Sequence, residues 1–308
     1  MKIGKKRRAA FLLFLILVIS SCDALVYDDR DGCEMGVYVH LYSKTPCQVA
    51  PIYPKDITQY AVFVFDERNK LAAVKKGDIN ELSSTHRVLV PLLSPGMYST
   101  IAWAGITDDF IQSPLYLGET KKEDLLLQLQ KSDSTLLSEN LHLYHGAGES
   151  FLIGLSGAKS YFTETSVNLR EYSNRIKVVV EGVTTPEEYF ISIESNNGSY
   201  TINGGIKANQ PINYSSFDRN VEEQAVSETF STLKLLTGYN SILTIQRGND
   251  ILYQEDLLGT LLLKNPMINL ACDNDFTVKF KVKESCACYE IWVNDWLIHS
   301  YDTELGIE

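Results

Sequence analysis

Short runs of alternating apolar and polar residues recur along this chain of 308 residues. In residues 36–42, GVYVHLY, three aliphatic side chains alternate with tyrosine and histidine, which is the pattern of a strand with one buried face. Similar runs follow, with a turn signal about every 8–12 residues. The stretch NSILTIQRGNDILYQEDL, for example, is typical of a hairpin about Arg247 to Asp250. This spacing predicts an all-β fold of β-sandwiches.

One stretch departs from this pattern. Residues 121–140, KKEDLLLQLQKSDSTLLSEN, are rich in leucine and in charged residues, a composition that favours a short helical or irregular insertion. A new set of strands begins near Ile176. Because the chain is long enough for two ordinary cores, we predict an N-terminal sandwich domain over residues 36–163 and a C-terminal one over residues 164–308.

The N-terminus is typical of an export signal. Five basic residues precede 11 consecutive apolar ones, from Ala9 to Ile19. This apolar segment is too short for a transmembrane helix, which needs roughly 20 residues. A basic start, a short apolar segment and small residues after it instead indicate a signal peptide over residues 1–21.

The signal ends in a sequence that points to lipid attachment. Residues 19–22, ISSC, resemble the lipobox of bacterial lipoproteins, in which the chain is cut before the cysteine and the thiol is diacylated. The resemblance implies a covalent diacylglycerol and an acyl chain on Cys22, since a durable anchor needs two or three chains. An acidic tether, residues 22–35, would follow. The alternative is an ordinary signal peptide with Cys22 as a structural thiol.

The charge of the exported chain narrows the choice of partners. Five of the 28 Lys and Arg residues lie in the signal and none of the 39 Asp and Glu residues do, so 23 basic residues remain against 39 acidic ones and the formal charge is −16. Such an acidic surface disfavours nucleic acid and anionic lipid as partners.

Five cysteines remain once the lipobox cysteine is set aside. Because five is odd, at least one thiol is free, modified or paired outside the chain. In an exported protein Cys33 with Cys47 is one candidate disulfide. Cys272 could pair with Cys286 or with Cys288.

The sequence gives no sign of catalysis. We find no converging set of nucleophile, base and orienting group, so we do not expect an enzyme. His142 and His145 are spaced for one side of a helical turn, but no third ligand accompanies them. We therefore expect neither a metal site nor a cofactor apart from the lipid.

Several stretches together resemble one family, the FimB-type fimbrial anchor subunits of Bacteroidales, which are fimbrillin-associated anchoring lipoproteins. In chain order they are CDALVYDDRDGC after the lipobox, YAVFVFDERNKL, LLSPGMYSTIAWAG, NRIKV and the closing EIWVNDWLIH. The resemblance runs from Cys22 to the C-terminus. It implies two tandem transthyretin-like β-sandwich domains on a lipid anchor in the outer membrane, exposed at the cell surface.

The resemblance also implies a function. Members of the family sit at the base of a fimbrium, hold it to the cell and limit its length. Fimbrillins of this group polymerise when one subunit donates a β-strand to a groove of the next, a form of β-augmentation. Shaft subunits lose an N-terminal strand to proteolysis, whereas a lipid-bound N-terminus should keep its strand and terminate the polymer. The implied partners are fimbrillin shaft or accessory fimbrial subunits, and the alternative function is a glycan-binding surface lipoprotein of a nutrient-uptake system.

Two tryptophans near the C-terminus are candidate contact residues. Trp292 and Trp296 lie four positions apart, so on a single strand they would face the same side. They could form core or inter-domain packing, an aromatic contact with another fimbrial subunit, or a platform on which a sugar stacks.

Overall fold

The computed structural model of this protein describes most of the chain after residue 33, namely residues 34–92, 94–130, 141–154, 160–207, 211–283 and 288–300. These residues are built mainly from strands, which confirms the predicted all-β class. The described helical segments are single turns: two 3-10 turns, Pro186–Glu188 and Leu262–Lys264, and a π turn, Leu257–Leu261.

The first half of the chain forms a sandwich of two sheets. Its described strands are β1 Glu34–Tyr42, β2 Gln59–Asp66, β3 Leu71–Asp78, β4 Val88–Leu92, β5 Gly96–Ala104, β6 Phe110–Gln112, β7 Leu125–Leu129, β8 Tyr144–Ala147, β9 Phe151–Ile153, β10 Ser160–Asn168 and β11 Arg170–Glu171. Sheet I has the order β10-β1-β4, and sheet II has the order β11-β8-β5-β2-β3, with β9 paired to β5. Val37, Val62 and Val90 belong to the core between them.

The second half forms a larger sandwich. Its described strands are β12 Ser173–Glu181, β13 Tyr189–Ser195, β14 Ser199–Thr201, β15 Ile212–Tyr214, β16 Asp218–Glu222, β17 Ala225–Leu233, β18 Ser241–Arg247, β19 Asp250–Asp256, β20 Asp275–Val282, β21 Cys288–Val293 and β22 Trp296–Ser300. Sheet IV has the order β16-β17-β12-β20-β21-β22 and sheet V has the order β15-β13-β18-β19. Arg247 pairs with Asp250, which confirms the predicted hairpin.

Strand β2 of sheet II is buried on both faces. Along β2, Val62 and Val64 contact the core of the first sandwich, whereas Ala61, Phe63 and Phe65 belong to a second core that continues into the other half of the chain. A strand covered on both faces needs apolar residues at every position rather than at alternate ones. This explains the uninterrupted run AVFVF in the sequence.

A small sheet joins the two halves, and it corrects one prediction. Sheet III has the order β14-β7-β6, so a strand of the second half pairs with a strand of the first. Its middle strand, β7, lies within residues 121–140, the predicted helical or irregular insertion. Strands on both edges hydrogen-bond to β7, and Leu126, Leu127 and Leu129 are buried, so tertiary contacts outweigh the helix propensity of leucine. Residues 131–140 lie outside the described residues.

The change from one sandwich to the other falls just after β11. All nine residues of β10 pair with β1, and β11 pairs with β8. The boundary predicted between residues 163 and 164 lies inside β10. We therefore propose that the first domain extends to about residue 172.

Candidate functional site

The first strand occupies the middle of sheet I. All nine residues of β1 pair with β10 in parallel register, and five of them also pair with β4. Val37, Val39 and Leu41 are fully buried. A Cβ at Gly36 would lie 2.7 Å from the carbonyl oxygen of Val90, so glycine at this position lets β4 approach β1 closely. The first strand is therefore an integral part of the sandwich.

A buried aromatic cluster fixes the junction between the halves. The Trp103 indole Nε1 donates a hydrogen bond to the carbonyl oxygen of Ile202, at 2.8 Å. The centroid of this ring lies 4.6 Å from that of His145, 5.6 Å from Tyr172 and 5.7 Å from Tyr200. These residues come from β5, β8, the link between β11 and β12, and β14. No sequence pattern indicates this cluster, because its members are far apart in the chain.

A second junction contact centres on the carboxylate of Glu171. Its Oε1 lies 2.8 Å from Nδ1 of His142 and accepts a hydrogen bond from the Ser173 hydroxyl at 3.0 Å, and its Oε2 accepts one from Asn274 at 3.2 Å. The hydrogen bond with Glu171 raises the pKa of His142. One carboxylate thus connects residues of both halves.

The two histidines therefore have separate structural roles. His142 contacts Glu171, whereas His145 is buried against Trp103. In the part of the chain that the structure describes, His, Cys, Asp and Glu side chains form no group of three that could hold a metal ion.

Burial of His145 predicts a loss of stability in acid. Burial lowers the pKa of His145 to about 4 from 6.5, so the unfolded chain binds this proton more tightly. Its contribution to stability is complete above pH 6.5 and should fall by ~3 kcal/mol as the pH drops to 4. Denaturant unfolding at pH 7.5, 5.5 and 4.0 measures this loss. His145→Phe, which cannot titrate, should show a shallower pH dependence, and a slope as steep as that of the wild type would contradict the prediction.

A disulfide also joins the two halves, and it replaces the predicted pairing. Cys47, in the loop after β1, is bonded to Cys272, just before β20, with a Cα–Cα distance of 6.0 Å. The candidate disulfide between Cys33 and Cys47 is therefore wrong, as is pairing of Cys272 with another C-terminal cysteine. The loops meet because sheet topology places them together: beside the disulfide, the Arg170 guanidinium donates to the carbonyl oxygen of Ala271 at 3.2 Å.

The other predicted cysteines are not placed in a site. Cys22, the lipid-attachment residue, and Cys33 and Cys286 lie outside the described residues. Cys288 is the first residue of β21. None of the described helices has the length and apolar character needed to cross a bilayer.

The two tryptophans lie on different strands, so the prediction that they share one strand is wrong. β21 ends at Val293 and β22 begins at Trp296. Both turn residues between them have positive φ angles, 45° for Asn294 and 61° for Asp295. Positive φ at both central positions is typical of a type I′ hairpin turn, and asparagine and aspartate adopt it more readily than most residues.

The surroundings of the two rings differ. Trp292 is half-buried: its Nε1 donates to Glu290 at 2.9 Å, and the Lys281 ammonium lies 5.3 Å from the ring centroid. Trp296 is 47% exposed and lines a surface cavity together with Met267. Neither ring belongs to a buried apolar cluster of the described residues. Contact of either ring with another fimbrial subunit or with a sugar stays a prediction.

The sequence of this chain is similar to those of fimbrial anchor proteins. A family described as "Fimbrillin-A associated anchor proteins Mfa1 and Mfa2" matches residues 30–302. The minor fimbrium anchoring subunit Mfa2 of Porphyromonas gingivalis is 33% identical over 301 residues, which cover 93% of this chain and 92% of that protein.

Solved structures show the same similarity. The fimbrial anchor protein Mfa2 from Porphyromonas gingivalis superposes with a TM-score of 0.81 at 31% identity, covering 87% of this chain and 100% of that one. A structure from Bacteroides thetaiotaomicron superposes with a TM-score of 0.70 at 18% identity, covering 88% of this chain and 99% of that one. At so low an identity, the second match shows the fold alone.

Proposed function

Because the chain belongs to the family of fimbrillin-A associated anchor proteins, we propose that it fastens a fimbrium to the outer membrane and ends the growth of the fibre. The Porphyromonas relative is named as a minor fimbrium anchoring subunit and as a fimbrial anchor protein. Attachment through lipid and termination by a retained strand are the finer steps of this proposal.

The position of β1 is the observation that carries the proposal. An acceptor subunit in strand-exchange polymerisation needs a vacant position in a sheet, which a strand of its neighbour then fills. Here β1 fills the middle position of sheet I and is paired on both sides. Among the described strands, the position between β10 and β4 is therefore already filled and is not open to a donated strand.

The burial of β1 opposes its release. Removing it would expose Val37, Val39 and Leu41, each of which is 0% exposed in the folded chain. Burying one such side chain contributes about 1.5–3 kcal/mol. Release would also leave the facing backbone groups of β4 and β10 without partners, and unsatisfied groups of this kind are costly. A subunit that keeps this strand cannot accept another, so the fibre ends here.

The lipid would hold this same strand close to the membrane. Cys22 precedes Glu34, the first residue of β1, by 12 residues. An extended chain of that length spans at most about 40 Å. A diacylglycerol and an acyl chain on Cys22 would therefore keep the first sandwich within that distance of the outer leaflet.

The proposed role requires binding partners and no catalysed reaction. The partners would be fimbrillin shaft or accessory subunits, and the formal charge of −16 after the signal argues against nucleic acid. We expect no catalysis and no cofactor beyond the covalent lipid.

Deletion of the gene tests the proposal. We expect the cells to shed fimbriae into the medium under mild shear, and we expect these fimbriae to be longer than those of the parent strain. Electron microscopy measures fibre length, and immunoblotting of cells and medium measures retention; complementation with the wild-type gene is the control. Fimbriae that remain attached and unchanged in length would contradict the proposal, and binding of the purified protein to a polysaccharide but not to fimbriae would favour the nutrient-uptake alternative.

A further inference from the structure

The second half of the chain presents a surface hollow with apolar and acidic walls, and the proposed anchoring through β1 and the lipid does not involve it. Met267 and Ile268, from the segment after the helical turns, and Trp296, from β22, line a cavity of about 270 Å³, called here the Trp296 hollow. Met267 is 74% exposed. β22 is the last strand of sheet IV, and no other described strand pairs with its outer edge. Large apolar side chains exposed at a sheet edge mark an interaction surface.

The walls of the Trp296 hollow are held by hydrogen bonds. The buried Asn265 amide donates to the carbonyl oxygen of Val293 at 2.8 Å, and its oxygen accepts from the backbone N–H of Met267 at 2.9 Å. On the opposite wall the Asn294 side-chain oxygen accepts from the backbone N–H of Thr277 at 2.7 Å. A surface that is ordered before binding loses less conformational entropy when a partner docks.

The charge around the hollow indicates what fits it. Asp273, Asp275 and Asp295 line the cavity, and among the described residues no Lys or Arg does. A cation is attracted both to the face of a tryptophan ring and to a carboxylate. The complementary surface therefore carries an arginine or lysine next to an apolar side chain.

We propose that the Trp296 hollow is where the first subunit of the fimbrium docks, with an arginine or lysine of that subunit between Trp296 and the aspartates. The inference rests on the proposed anchoring function and adds the contact surface to it. The hollow lies on sheet IV of the second half, whereas the lipid tether leads into sheet I of the first. The membrane attachment and the fimbrial contact thus occupy different halves of the chain.

A binding measurement with defined variants tests this surface. The probe is fimbriae sheared from cells that lack this chain, and the full-length lipoprotein is held in detergent micelles on a surface plasmon resonance chip. Trp296→Ala should weaken binding at least tenfold, as expected for a central aromatic contact. Replacing both Asp273 and Asp275 by asparagine should weaken binding severalfold and reduce its dependence on salt.

The control variant is matched in exposure and strand position. Ile251 is 58% exposed on β19, the edge strand of sheet V, so Ile251→Ala should bind like the wild type. Because Trp296 is half exposed, its replacement should lower the thermal midpoint only slightly. Trp296→Phe keeps an aromatic face and should recover most of the binding.

Each other outcome overturns the inference in a distinct way. If the wild type binds fimbriae and Trp296→Ala binds equally well within twofold, the docking surface is wrong and anchoring stands. If the wild type does not bind fimbriae, both proposals fail. If Trp296→Ala instead removes self-association in the ultracentrifuge, or removes binding to a cell-surface polysaccharide, while fimbria binding is unchanged, the hollow belongs to a second copy or to a glycan.

Discussion

Cys22→Ala should abolish membrane attachment completely. Without this thiol no diacylglycerol can be added, and the chain after residue 21 has a formal charge of −16, which disfavours adsorption to anionic lipid. We expect the variant to move from the membrane fraction to the supernatant after cell fractionation, and radiolabelled palmitate should no longer enter it. Fimbriae should be shed as in the deletion strain.

The same variant separates attachment from folding. β1 begins 12 residues after Cys22, so its pairing with β4 and β10 should survive and the thermal midpoint should match that of the wild type. Cys33→Ala is the matched control, because it removes a neighbouring thiol and should leave palmitate labelling intact. Label that persists in Cys22→Ala would show that another residue carries the lipid.

Removal of the bond between Cys47 and Cys272 should have the largest effect on stability. The two residues are 225 positions apart, so the bond restricts an unusually large loop in the unfolded chain. On the loop-entropy model the contribution is about 5 kcal/mol, and measured values for native disulfides commonly lie at about 2–5 kcal/mol. Replacing both cysteines by alanine should therefore lower the thermal midpoint by roughly 5–15 °C in differential scanning calorimetry.

A control distinguishes this pairing from the one that the sequence suggested. Cys33→Ala should leave the midpoint unchanged if Cys47 is bonded to Cys272, and should lower it if Cys33 is the partner of Cys47. A non-reduced tryptic digest should contain one cross-linked species joining the peptides of Cys47 and Cys272. A species joining Cys33 to Cys47 would contradict the structure.

Local patterns predicted the strands well because a strand with one buried face leaves a signal of period two. The alternation in GVYVHLY became β1, and the turn signal near Arg247 became the hairpin between β18 and β19. The likeness to an anchor family was also readable, because its motifs extend along most of the chain, and the family match covers residues 30–302.

Features that depend on distant neighbours could not be read in this way. The leucines of β7 have helix propensity, and only their pairing with β6 and β14 makes them a strand. Cysteine spacing contains no information on sheet topology, which brings Cys47 to Cys272. The turn at Asn294 and Asp295 lacks the glycine that most clearly signals a two-residue hairpin. The sequence pattern therefore predicts a single strand that contains both tryptophans.

The cross-link between the halves has a mechanical consequence. When a fimbrium is pulled, tension that enters the second half at Cys272 can pass directly to Cys47, then through β1 to the lipid. The intervening backbone, from residue 48 to residue 271, is bypassed. Even if that segment unfolded under tension, the covalent route from fibre to membrane would not gain the contour length of the unfolded segment.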